Sequence, residues 1–114
     1  MTDLEPIRQR FILEEPRKRL GHLAADLLRI ANFIESGLFD EARPIVRESK
    51  FMTEWAARES NLETQELLSE TQSFLALKEK QWPNWTRNEI DVLTIASAVR
   101  GWSNKFLKLS GLLE

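Results

Sequence analysis

Few side chains in this 114-residue chain can carry chemistry. It holds one histidine, His22, and no cysteine, which removes thiol nucleophiles, disulfide scaffolds, zinc fingers and multi-histidine metal sites. Imidazole titrates near neutrality without perturbation, so His22 is the natural candidate for a general base. Carboxylates are the other reagents. A helical bundle can house two metals with inward Glu residues and a pair of Glu-x-x-His motifs. The residues three positions either side of His22 are Arg19 and Ala25, so neither motif is present and no metal or other cofactor is expected. Glu59, Glu63, Glu66 and Glu70 repeat at helical spacing, but an uncompensated carboxylate row is expensive to bury and marks a solvated face.

Two short stretches resemble known families. Arg17-Lys18-Arg19-Leu20-Gly21-His22 resembles the Arg, four to six residues, His pattern of the bundle ribonucleases called HEPN domains. That resemblance covers six residues and implies metal-independent RNA cleavage, with Arg17 and His22 acting on the scissile phosphate. In that family the pair lies in a late helix with a polar residue after the Arg, whereas here it opens the first long helix and Lys18 follows. Ser36-Gly37-Leu38-Phe39-Asp40-Glu41-Ala42, preceded by Phe33, resembles the centre of a tetratricopeptide hairpin, where Gly permits the turn and Ala lets helices pack closely. A repeat array needs about three units to bury a continuous core. The motif occurs once, so it reads as a generic helical hairpin.

The elements that position these residues are written in punctuation. Glu14, Glu15 and Pro16 open an amphipathic segment that closes at Gly37, with Leu20, Leu23, Ala24, Leu27, Ile30, Ala31 and Ile34 on one stripe. A second segment begins near Leu38 to Glu41, so that Pro44 falls within about the first turn. Ser60-Asn61-Leu62-Glu63 has the spacing of a capping box. It favours a break there over one continuous helix of almost forty residues, which the lack of Gly or Pro from Ile45 to Trp82 also allows. Thr86-Arg87-Asn88-Glu89 is a second capping box, with Trp85 and Ile90 in hydrophobic-staple positions. Leu4, Ile7, Phe11 and Leu13, with a weaker cap at Thr2 to Glu5, suggest a short helix within residues 1–15.

These signals predict an all-α chain with helices at about 16–36, 40–58, 61–82 and 87–110. Short connections make it an antiparallel up-down-up-down four-helix bundle, with the short amino-terminal helix laid across it. About three quarters of the chain would be helical. No run reaches the roughly 18 apolar residues needed to span a bilayer, and the acidic start lacks a secretory signal, so a cytoplasmic protein is expected.

In that topology one pole gathers Arg17, Lys18, Arg19, Arg58, Lys105 and Lys108, a cap that could hold phosphate or an acidic partner. The competing reading is that these cations complement helix ends. At the other pole stands Trp82-Pro83-Asn84-Trp85 beside Phe39. Trp82, with Trp85 and Phe39, anchors a partner if exposed and closes the bundle end if buried. The formal charge of −2 argues against nucleic acid as a partner. With no nucleophile elbow, phosphate loop or metal cluster, the expected function is a non-catalytic protein–protein interaction module. Phe51, Phe74 and Leu77 lie outside a narrow seam, which makes a homodimer one expected partner arrangement.

Overall fold

The computed structural model describes residues 4–13, 15–58 and 60–111. Thr2 of the expected amino-terminal cap, the Glu14 carboxylate and Glu59 of the acidic row lie outside them. The described residues form six helices and no strand: α1 (Glu5–Leu13), α2 (Pro16–Glu35), α3 (Phe39–Ala57), α4 (Leu62–Lys80), α5 (Trp82–Trp85) and α6 (Glu89–Ser110). Helix accounts for 88% of the described residues, with α1 and the single turn α5 adding to the four long helices that were expected.

Pro16 stands at the start of α2, where its missing N–H is not needed. The helix ends in a Schellman turn. Gly37 adopts φ +76°, its N–H donates to the Ile34 carbonyl, and the Leu38 N–H donates to the Phe33 carbonyl. In α3, Pro44 is the sixth helical residue, one turn deeper than its usual place. The Asp40 carbonyl loses its bond there, but both residues are exposed and water can replace the donor.

The two capping boxes form differently from their sequence spacing. Asn61, not Ser60, caps α4, its Oδ1 accepting from the Thr64 N–H at 2.8 Å. Asn88, not Thr86, caps α6, accepting from the Asp91 N–H at 3.1 Å. Each hydroxyl instead donates backwards into the preceding helix, Ser60 to the Ala56 carbonyl at 2.9 Å and Thr86 to the Trp82 carbonyl at 2.7 Å. The hydroxyls thus satisfy orphan carbonyls at one helix end while the asparagines, among the best cap residues, satisfy orphan amides at the next. The staple fails with the box, since Ile90 is 76% exposed.

Helix α2 packs most extensively on α6 and then on α3, and α3 packs on α4, an arrangement consistent with a bundle. Leu23, Leu27, Ile30, Ile34, Met52, Leu68, Leu75, Val99 and Phe106 form the centre of the core, each such side chain contributing about 2 kcal/mol by leaving water. Ser103 Oγ donates to the Ala24 carbonyl at 2.7 Å and ties α6 to α2. Phe11 docks α1, its ring 5.9 Å from that of Trp55 and 6.1 Å from that of His22. α4 and α6 are not among the pairs whose backbones pack closely.

Candidate functional site

The residues of the nuclease-like motif face different neighbours. Five helical positions turn a side chain by about 140°. Arg17 Nε donates to the Ser110 carbonyl at 2.9 Å and its Nη2 to the Gly111 carbonyl at 3.1 Å, closing the carboxyl end of α6. His22 lies against Phe11, with its Nε2 3.6 Å from Asp26 Oδ2. Asp26 is buried to 8% side-chain exposure and also meets Arg29 at 3.4 Å. These groups line a cleft of about 290 Å³ between α1, α2 and α3 with Arg10 and Glu48. The arrangement packs α1 against the body and gives Arg17 and His22 different neighbours.

The expected cationic pole is also divided. Arg17 is engaged by carbonyl oxygens, as the dipole-complementing alternative requires, and Arg19 is 6% exposed. Lys18 and Arg58 are exposed. Lys105 and Lys108 share a groove with Glu63, Glu66 and Glu70.

At the opposite pole both indoles turn inward. Trp82 is 6% and Trp85 5% exposed, packed edge to face at 4.8 Å. Phe39 completes the cluster 6.2 Å from Trp85, and Trp85 Nε1 donates to the Lys78 carbonyl at 2.8 Å. Arg43 covers Trp82 at 5.7 Å. The condition for a Trp82 anchor was an exposed ring, so the closing alternative is the one that forms: two large apolar rings seal the bundle end, with a polar handle satisfied by backbone.

One open surface is the seam between α4 and α6. The two helices meet through Phe74 and Trp102, half-buried rings packed at 4.6 Å, and a groove lies on either side of that contact. One, of about 440 Å³, has Leu67 and Leu109 between its charged walls. The other, of about 330 Å³, runs past Phe74 and Ala98 to Trp85. Leu77 and Leu109 are 46% and 43% exposed. Leu67, Leu68, Phe74 and Leu75 fall on one broad stripe of α4 at helical spacing. The structure divides them, with Leu68 and Leu75 buried and Leu67 and Phe74 facing the groove. A sequence signal existed in the width of that stripe, which is too broad for one neighbouring helix.

Between α6 and α2, Arg100 Nε donates to Glu35 Oε1 and its Nη2 to Asn32 Oδ1, both at 2.7 Å. The hydrogen bond from Arg100 holds the Glu35 carboxyl below its ordinary value and raises the guanidinium further. This links α2 to α6 and is structural.

No cluster of three potential metal ligands occurs among the described residues, and no helix is long and apolar enough to cross a membrane. No protein-family model, curated protein or solved structure matches the chain. Class therefore rests on architecture: an all-helical chain packed in a manner consistent with a bundle.

Proposed function

We propose that this chain is a non-catalytic protein–protein interaction module, an antiparallel up-down-up-down four-helix bundle with α1 laid across it, and that its partner surface is the α4–α6 seam. One observation carries the reading. The two helices that should close the bundle meet chiefly through Phe74 and Trp102, leaving half-buried rings and, between charged walls, the exposed Leu109. Apolar side chains in a groove rimmed by charge are the usual makeup of a binding face. The engagement of Arg17 with the end of α6 weighs against RNA cleavage as the alternative.

The test uses the full-length tagged chain in the cells that make it. Leu77→Asp and Leu109→Asp alter exposed seam positions, so both variants should keep the parent's circular dichroism. The wild-type chain should recover a protein partner, whether another polypeptide or a differently tagged copy of itself, and both variants should lose it. Recovery unchanged by either folded variant would overturn the proposal.

A further inference from the structure

We infer that the occupant of the α4–α6 groove is a second copy of this chain, docked about a two-fold axis running along the groove. The inference rests on the seam being the partner surface and adds the identity of the partner.

The charge layout is self-complementary. In the half nearer the carboxyl end of α6, Glu63, Glu66 and Glu70 form the α4 wall, and Lys105 and Lys108 the α6 wall. All five are exposed, and none pairs across the gap within the chain. In the other half the signs exchange, with Lys78 on α4 and Asp91 on α6. A two-fold along the groove lays α4 of each copy over α6 of the other at the same height. Each carboxylate wall then meets the partner's ammonium wall. A two-fold across the groove would instead set the three carboxylates over a single lysine.

The relief of the surface agrees with the charge. Leu77 follows Glu70 by two helical turns and projects from the same wall. On α6, Gly101 is exposed beside Trp102, and a Cβ placed there would meet nothing within 4 Å. The Phe74–Trp102 contact sets the relative heights of the antiparallel helices, so Leu77 of one copy comes level with about Ala98 of the other, within one turn of Gly101. Glycine weakens a helix interior but permits close approach to the backbone, and this one has no neighbour in its own chain to require it. Two helices about 30 Å long and together about 20 Å wide offer a footprint of about 600 Å² per copy, approaching the roughly 800 Å² per partner of standard interfaces.

Charge reversal tests the inference, with mass in solution as the readout. The purified wild-type chain should weigh twice its 13.3 kDa. Glu66→Lys with Glu70→Lys places like charges against the partner's lysines, and Lys105→Glu with Lys108→Glu does so against its glutamates. Each pair of changes should weaken the dimer about tenfold or more while leaving helical content unchanged. All four changes together keep the formal charge of −2 and restore opposite signs across the along-groove axis, so that chain should dimerise again. A monomeric wild type, indifference to either wall reversal, or a four-site chain that stays monomeric each overturns the inference. If the wild type is monomeric while Leu77→Asp still abolishes capture of another protein, the partner is not a second copy and the interaction-module proposal stands.

Discussion

Two buried serines, Ser49 and Ser103, should respond in opposite directions to the same substitution. Ser49 in α3 is fully buried, and among the described residues its Oγ has no hydrogen-bond partner. Ser103 in α6 is 4% exposed and its Oγ donates to the Ala24 carbonyl. An unsatisfied buried hydroxyl costs about 1–3 kcal/mol, whereas a made one contributes about 1 kcal/mol net. Alanine adds a few tenths of a kcal/mol of helix propensity in either place, and the void left by one oxygen offsets a similar amount. Ser49→Ala should therefore stabilise the protein by about 1 kcal/mol, and Ser103→Ala should destabilise it by about 0.5–1 kcal/mol. A gap of about 2 kcal/mol corresponds to a separation in Tm of roughly 8 °C or more at this size. Urea and thermal unfolding followed by far-ultraviolet circular dichroism would measure it. Equal destabilisation by both variants would refute the reasoning, because it would mean that the Ser49 hydroxyl is bonded in solution.

Three other outcomes follow from the same geometry. Asn88→Ala should cost about 1 kcal/mol by uncapping α6, and Thr86→Ala distinctly less; the reverse order in chemical denaturation would restore the Thr86 capping box. Phe11→Ala should cost about 3 kcal/mol and expose α1 to limited proteolysis, since that buried ring fastens it to Trp55 and His22; an unchanged cleavage rate would show that α1 is held elsewhere. Because Arg100 lowers the folded-state pKa of Glu35, the unfolded chain binds the proton first as pH falls. The contribution of the pair is therefore present above the unfolded carboxylate pKa and is lost on acidification through the folded one. Glu35→Gln should flatten the acid-side decline in Tm slightly, given how exposed the pair is, and a profile identical to the parent's would count against the linkage.

Local punctuation carried much information because it depends on near neighbours. Pro16 and Gly37 mark the ends of α2 through the missing N–H of one and the positive φ of the other, and three- and four-residue spacing selects Leu23, Leu27, Ile30 and Ile34 for burial. The choice between Ser60 and Asn61, or Thr86 and Asn88, was not legible in that way. Both candidates in each pair are good caps, and the outcome depended on which carbonyls the preceding helix left free.

The division between sequence and structure is sharpest at the two ends and in the seam. Composition and periodicity by themselves specified a helical chain without thiol or multi-histidine chemistry, because residue type and spacing are properties of the chain alone. Tertiary structure decided that Trp82 and Trp85 are buried against each other, that Arg17 bonds the carboxyl end of α6, and that α4 and α6 meet chiefly through Phe74 and Trp102. Burial and partnership depend on the distances between helices, and a repeating pattern along one helix gives the direction in which a side chain points but not how close the next helix comes.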